Sequence, residues 1–275
     1  MKVHNVDQYL VYGNPIQQSK SPFIHQHFAE QTHQALQYRS QLAEDDDFKL
    51  QVRSFIAAGG KGCNVTAPFK GQAFELAQSV SEEARIAGAV NTLIFNDGHI
   101  AGDNTDGRGL IADLKFHQVS MTNKRILLVG AGGAARGVLL PLLAEQPQKL
   151  IIVNRTVEKA EQLAKLIDTP VKTCGVGFAD LADKPFDLII NASSASLSND
   201  LPPLKSSLLS ADTICYDMVY RASNTPFNQW AMDNGVKTTI DGLGMLVEQA
   251  AVSFEIWRGV KPETVELRKI LRAQL

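Results

Sequence analysis

The sequence predicts an α/β protein in two domains, an N-terminal α/β domain and a second domain built on a doubly wound parallel sheet. Three observations carry this expectation. Arg125-Ile126-Leu127-Leu128-Val129 is a short continuous apolar run, the pattern of a parallel strand buried on both faces. It runs straight into Gly130-Ala131-Gly132-Gly133-Ala134-Ala135, followed by an apolar helical segment reaching about Glu145. Beyond that segment, strand and helix patterns alternate as far as Ile240.

Taken in order, the second domain reads as follows. After the first strand and helix comes a strand at Leu150–Val153 and a helix from Val157 to Ile167. Val171–Cys174 and Phe186–Asn191 are further strands, the latter leading into the polar stretch Ala192–Asp200. Thr213–Val219 is a strand, and Thr225-Pro226 opens a helix, the threonine as N-cap and the proline at the first helical position. Gly235 closes it before a last strand at Val236–Ile240. The N-terminal part alternates less regularly. Tyr9–Tyr12 reads as a strand, Ser21-Pro22 as a cap-plus-proline helix start, and Gly59-Gly60 as the end of a helix begun near Asp46. Asn96-Asp97-Gly98 is a turn between two apolar runs, so a hairpin is expected over Thr92–Ile100. From Gly242 onward the chain reads as helical, with Leu246, Gln249, Ala250, Ser253, Phe254 and Trp257 on one face and Gly259 and Pro262 before a last helix. The expected divisions are 1–105, 106–241 and 242–275, the last packing back on the first, with a cleft between two lobes.

Composition narrows the function classes. The 275 residues carry 27 Lys plus Arg against 29 Asp plus Glu, a net charge of -2 that supplies no basic field for nucleic acid or anionic lipid. No apolar stretch approaches the roughly 20 residues of a membrane span. The opening Met1–Asp7 lacks the apolar core of a secretory signal. Cys63, Cys174 and Cys215 form no paired framework, so a soluble protein of a reducing, cytoplasmic compartment is expected. His25 and His27 sit two apart on a predicted helix and point to different faces, so no metal site is expected. Cys63 lacks a histidine partner and reads as a buried small residue. Trp230 and Trp257 read as core.

Gly130-x-Gly132-x-x-Ala135 follows a strand and opens a helix, as a Rossmann-like dinucleotide fingerprint requires. The first glycine permits the tight turn, the second lets phosphate approach the backbone, and Ala135 is small enough for helix–strand packing. The amides at the helix start hold the pyrophosphate. At the end of the next strand an NAD site places an acidic side chain against the ribose. Here the chain has Asn154-Arg155-Thr156 with Lys159 one turn on. Two cations, a hydroxyl and no carboxylate favour the 2′-phosphate of NADP.

Four further motifs are not explained by packing. Gly13-Asn14-Pro15-Ile16 leads to Ser19 and Ser21, two hydroxyls at a helix start suited to a carboxylate, although spacing alone makes Ser21 a plain N-cap. Asn64-Val65-Thr66 through Lys70 brings an amide, a hydroxyl and an amine to a strand end, where Lys70 by itself reads as a surface lysine. Gly88-Ala89-Val90-Asn91-Thr92 and Gly102-Asp103-Asn104-Thr105-Asp106-Gly107 are the others, with Asp103 or Asp106 equally suited to turns or caps.

Together with Tyr216-Asp217-Met218-Val219-Tyr220 and Asp241-Gly242-Leu243-Gly244-Met245-Leu246-Val247-Glu248-Gln249-Ala250, these motifs run in order along essentially the whole chain. The sequence resembles the NADP-dependent shikimate dehydrogenase family, oxidoreductases that reduce 3-dehydroshikimate to shikimate in chorismate and aromatic amino-acid biosynthesis. The resemblance implies that Lys70 is catalytic and paired with Asp106. Ser19 and Ser21, helped by Tyr220, match residues holding the substrate carboxylate, and Thr66, Asn91 and Gln249 match those bonding ring hydroxyls. Gly130, Ala131, Gly132, Gly133 and Ala134, with Asn154, Arg155, Thr156 and Lys159, match cofactor contacts. Met218 and Gly242 fall beside the nicotinamide, and Glu82 matches a position on the cofactor side.

The residue types suit that chemistry independently. Hydride transfer from an alcohol carbon requires that the hydroxyl proton also leave, and a positioned group must take it. Burial lowers a lysine pKa and a neighbouring carboxylate raises it, so Asp106 serves either to tune Lys70 or to orient it. After Asn191 the family reads Asn-Ala-Thr-Ser with a glycine soon after, whereas this chain has Asn191-Ala192-Ser193-Ser194-Ala195-Ser196-Leu197. That departure bears on cofactor affinity rather than on the reaction. The nearer alternative is a quinate/shikimate dehydrogenase of broader range using NAD, against which Tyr220 and Asn154-Arg155-Thr156 speak. The farther one is a non-catalytic binding protein on the same scaffold, which would have lost Lys70 or Asp106. The expected partner is a small molecule, with neither nucleic acid nor membrane, and a monomer or homodimer is left open.

Overall fold

The computed structural model describes residues 6–275, so Met1–Asn5 of the opening segment lie outside the described residues. The chain divides into two compact units: up to Gly109 together with Val247–Ile270, and Leu110–Leu246 together with Leu271–Leu275.

The second unit contains the doubly wound sheet. Its strands are β7 (Arg125–Val129), β8 (Lys149–Val153), β9 (Lys172–Val176), β10 (Leu188–Asn191), β11 (Ile214–Asp217) and β12 (Thr238–Asp241), ordered β12-β11-β10-β7-β8-β9 with every pairing parallel. The apolar runs have a physical cause in the two cores. Ile126, Leu128, Leu150, Ile152, Leu188 and Ile190 face one core, and Leu127, Val129, Ile151, Val153 and Ile189 face the other. Strand order reverses between β7 and β10, where a doubly wound sheet opens a crevice at its strand ends. Helices α6 (Gly133–Ala144), α7 (Val157–Ala164) and α8 (Pro226–Asp233) connect the strands. Thr225 caps α8, accepting from the Asn228 amide at 3.2 Å.

The first unit holds a mixed sheet ordered β2-β1-β3-β5-β6-β4. Its strands are β1 (Asp7–Gly13), β2 (Leu36–Leu42), β3 (Gly62–Val65), β4 (Ser79–Val80), β5 (Thr92–Asn96) and β6 (His99–Asp103). β5 and β6 form the expected hairpin, with Asp97 and Gly98 at positive φ in its turn. Helices α1 (Ser21–Gln31), α2 (Phe48–Ala57), α3 (Lys70–Leu76) and α4 (Glu82–Ala87) belong to this unit, and the division falls within α5 (Asp106–Phe116) and α9 (Leu243–Arg258). One sheet face packs Leu10, Tyr12, Phe48, Val52, Cys63, Val65, Phe69 and Leu93 into a core. On alternate positions Tyr9 meets Trp257 of α9 with ring centroids 4.7 Å apart, and the Trp257 indole donates to the Leu93 carbonyl at 3.0 Å. The last helix is α10 (Val265–Ala273), tied to α9 by Arg268–Glu248 at 2.6 Å and by Thr264, which donates to the same carboxylate at 2.5 Å.

Two local expectations are corrected. Ser21 is not the N-cap of α1. Lys20 holds that place, its carbonyl accepting from Ile24 at 3.0 Å, so Ser21 lies in the first turn with no capping duty. α7 ends at Ala164 rather than Ile167 because Lys165 and Leu166 close it with tighter turn bonds. Among the described residues no helix is long and apolar enough to cross a membrane.

Candidate active site

Three strand ends of the first unit lie level. Asn64 is in register with Thr92, and Thr92 with Asp103. Backbone bonds carry this register past the strand ends: Val65 N–H donates to Asn91 O at 2.8 Å, and Asn91 N–H to Asp103 O at 3.0 Å. The segments leaving β3 and β6 and the one entering β5 therefore deliver Thr66 and Lys70, Asp106, and Asn91 to one end of these strands. Lys70 is the first residue of α3 and Asp106 the first of α5.

Lys70 Nζ donates to Asp106 Oδ2 at 2.5 Å, both side chains partly buried. Asn91, 2 % exposed, donates from Nδ2 to Asp106 Oδ1 and to Thr105 Oγ1 at 2.9 Å each, and to Gln249 Oε1 at 3.3 Å. The Asp106 carboxylate lies in the first turn of a helix, where the aligned peptide dipoles favour negative charge. Its own N–H donates to Asn104 Oδ1 at 3.2 Å, which fixes the turn into α5. Arg108 pairs with both Asp103, at 2.5 Å, and Glu83, at 3.9 Å, beside this turn.

Ser19 and Ser21 are half-buried and linked, the Ser21 N–H donating to Ser19 Oγ at 3.3 Å. Freed from capping, the Ser21 hydroxyl adjoins the Tyr38 phenol. Burial holds that phenol well above the ordinary tyrosine range. A Cβ on Gly13 would stand 2.5 Å from Thr66 Cγ2, so glycine lets the Gly13–Ile16 turn close on the Thr66 segment. Asn14 N–H bonds Ala67 O at 3.1 Å across the same contact. Glu82 starts α4, exposed, and pairs with Arg85 at 3.4 Å.

The second unit carries the glycine-rich turn. Gly130 takes φ +108°, a conformation that favours glycine, directly after β7. Gly132 is the N-cap of α6 and Gly133 its first residue, and a Cβ on either meets nothing within 4 Å. That open space above free helix-start amides is the cradle a pyrophosphate needs, with Ala134 exposed beside it and Ala131 and Ala135 buried beneath. After β8, Asn154 Nδ2 donates to Thr156 O at 2.9 Å and shapes the turn, leaving Arg155, Thr156 and Lys159 exposed. These residue types fit a phosphorylated ribose.

Met218 and Gly242 lie against each other. A Cβ on Gly242 would fall 2.1 Å from the Met218 carbonyl oxygen, and Gly242 N–H bonds Val219 O at 3.2 Å. Tyr220 is half-buried, its phenol raised by burial and by Asp241. The departing loop is held from within. Ser196 donates to the buried Asp217 carboxylate at 2.6 Å, Asn191 Nδ2 donates to it at 3.2 Å, and Ser193 donates to Asn191 Oδ1 at 2.7 Å. Burial raises the Asp217 pKa while these donors pull it down. Arg221 bonds Asn199 and the Ser196 carbonyl and straps the same loop.

Sequence reasoning missed Tyr38 and Ser253 and gave Thr105, a member of the Gly102–Gly107 motif, no role of its own; all three complete the hydrogen bonds around Asn64 and Asn91. Neither Tyr38 nor Ser253 belongs to a motif with its own chemistry. Ser253 lies on the helix face that the spacing predicts, and only the strand register shows what that face meets.

The architecture is that of a two-domain α/β protein with a Rossmann-like nucleotide fold in its second unit. Comparison with known proteins agrees along the chain. Residues 11–93 match the shikimate dehydrogenase substrate-binding domain, 111–198 the shikimate/quinate 5-dehydrogenase family, and 242–272 the shikimate 5′-dehydrogenase C-terminal domain. The chain is 55% identical over 269 residues to the shikimate dehydrogenase (NADP(+)) of Colwellia psychrerythraea, covering 98% of each. Among solved structures it is similar to an Ael1 enzyme from Pseudomonas putida (44% identity, TM-score 0.93, 96% and 98% of the two chains). It is also similar to the shikimate 5-dehydrogenase of Thermus thermophilus in complex with NADP(H) and shikimate (28% identity, TM-score 0.85, 98% and 100%). The chain belongs to the shikimate dehydrogenase family.

Proposed function

We propose that this protein is an oxidoreductase acting on a CH–OH group, interconverting shikimate and 3-dehydroshikimate with NADP in chorismate and aromatic amino-acid biosynthesis. The observation that carries the reading is the Lys70–Asp106 pair at 2.5 Å, set beside the Asn91 and Gln249 amides.

NADP, when bound, supplies the acceptor and donor of hydride. The chain's own residues handle everything else. Gly130–Ala134 and the start of α6 hold the pyrophosphate, and Asn154, Arg155, Thr156 and Lys159 take the 2′-phosphate. Met218 and Gly242 shape the nicotinamide side, and Glu82 serves the cofactor side. Ser19, Ser21 and Tyr220 anchor the substrate carboxylate by neutral hydrogen bonds, while Thr66, Asn91 and Gln249 bond the ring hydroxyls. Holding the substrate at both ends would fix which face its reacting carbon presents to hydride. In reduction the Lys70 ammonium gives its proton to the carbonyl oxygen. In oxidation the Lys70 amine takes the hydroxyl proton, and Asp106 fixes where the nitrogen points. Three thiols outside any disulfide suit a reducing cytoplasm.

The experiment is steady-state oxidation of shikimate by NADP with the wild type and with Lys70→Ala. We expect turnover to fall by about 10³-fold or more in the variant, with NADP affinity nearly unchanged. Near-normal turnover would remove the lysine from the reaction.

A further inference from the structure

A directional chain of hydrogen bonds leads into the lysine–aspartate pair from the buried side. Tyr38, 5 % exposed, donates from its phenol to Asn64 Oδ1 at 2.7 Å. That bond and the Asn91 carbonyl, which can only accept, together set which way the Asn64 amide faces. Its Nδ2 is then turned to Asn91 O at 3.0 Å, Thr92 Oγ1 at 3.1 Å and Ser253 Oγ at 3.1 Å. Thr92 Oγ1, which accepts from Asn64, donates its own proton to Asn91 Oδ1 at 2.8 Å, an oxygen that can only accept. Thr105 N–H donates to the same Asn91 oxygen at 2.9 Å. With its carbonyl occupied twice, Asn91 can present only Nδ2 to Asp106 Oδ1, and Oδ2 is left for Lys70. With Asn64 less firmly held, the Thr92 hydroxyl is free to turn away, and the Asn91 oxygen keeps only the Thr105 amide.

We infer that Tyr38 is a positioning residue for the reaction, acting through Asn64, Thr92 and Asn91 to set the orientation of Asp106 and hence of Lys70. Ser253 backs the same amide: it lies 2.8 Å from Thr92 Oγ1 and 3.2 Å from Thr105 Oγ1 and donates to Gln249 O at 3.0 Å. The inference rests on the assignment of Lys70 and Asp106 to proton handling. The other charged groups at this helix start, Asp103, Arg108 and Glu83, are paired among themselves.

Tyr38→Phe removes one hydroxyl and keeps the ring, which stacks on His25 at 4.2 Å between centroids. We expect kcat for shikimate to fall about fivefold or more, the rate equivalent of one ordinary hydrogen bond. The pH profile of kcat moves as well, since the Asn91 amide then holds the Asp106–Lys70 pair less firmly. KM for NADP stays near the wild-type value, and the melting temperature falls by only a few degrees, the cost of leaving the Asn64 oxygen without its donor. Should Tyr38→Phe fold poorly, Ser253→Ala removes a partner of the same amide without touching the aromatic stack, and the same pH shift is expected. An unchanged kcat and pH profile in the folded variant overturns the inference, as does a lower kcat with an unmoved profile. Lys70→Ala separates the two claims. If it retains turnover, the assignment of the pair fails. If it loses turnover while Tyr38→Phe matches wild type, only the positioning role fails.

Discussion

Asn91 donates from its side-chain amide to Asp106 Oδ1 over 2.9 Å. The carboxylate is thereby oriented from its inner oxygen, and its outer oxygen, Oδ2, receives Lys70. An amide held on both sides within a nearly dry setting turns a flexible lysine into a directed one.

Asp106→Asn keeps the shape of the side chain and removes the charge that holds Lys70. It is expected to lower kcat by about 10²-fold with little effect on NADP binding, as removal of a positioned proton-handling partner does. Stopped-flow or steady-state kinetics beside NADPH titration checks both parts.

Arg155 stands exposed after β8 where no carboxylate replaces it. Arg155→Ala is expected to raise KM for NADP about tenfold or more, the loss of one charge-assisted phosphate contact, while leaving KM for NAD unchanged. Equal effects on the two cofactors would detach Arg155 from the 2′-phosphate.

His25 is buried among Tyr38, Phe28, Phe254 and Trp257. Burial pushes its pKa down from 6.5 to about 3, with Asn64 pulling weakly the other way. The folded state therefore holds the neutral ring and the unfolded chain binds the proton first. The sign follows: stability is full above pH 6.5 and falls as pH drops toward 3, by about 1.4 kcal/mol per unit. His25→Phe should flatten that part of the pH dependence of urea unfolding. An unaltered slope would mean that other groups cause the acid loss.

Ser196 donates to the buried Asp217 carboxylate in the loop where the chain departs from its family. Ser196→Ala leaves that acceptor short of one donor and is expected to cost about 1–3 kcal/mol in unfolding free energy. A rise in KM for NADP should accompany it, because Gly130 packs against Ala192 and Ser193 at the base of the loop. A stable variant with normal KM would show the loop to be held by Arg221 instead.

The central strands of the second sheet, β7, β8 and β10, were legible because they are buried on both faces and so read as apolar runs. β2 was not legible. It is an edge strand with the burial of Leu36 and Tyr38 alone, so Leu36–Leu42 shows little periodicity. α3 and α4, of 7 and 6 residues, are too short for a helical stripe to declare itself. Ser21-Pro22 signalled a helix start correctly but placed it one residue late, because the backbone of Lys20 already takes a helical turn. In the candidate site, Lys70, Asn91 and Asp106 were visible as motif residues. Tyr38 and Ser253 were not, since their meaning lies in a register that brings Asn64, Thr92 and Asp103 level, and no local pattern encodes it.

The central claim is tested most directly by the initial rate of nicotinamide reduction with shikimate and with quinate, each offered with NADP and with NAD. The account predicts strong activity with shikimate and NADP and little in the other three combinations. Comparable rates with quinate or NAD would contradict the specificity assigned to Tyr220 and Arg155, and no activity in any combination would contradict the proposed reaction itself.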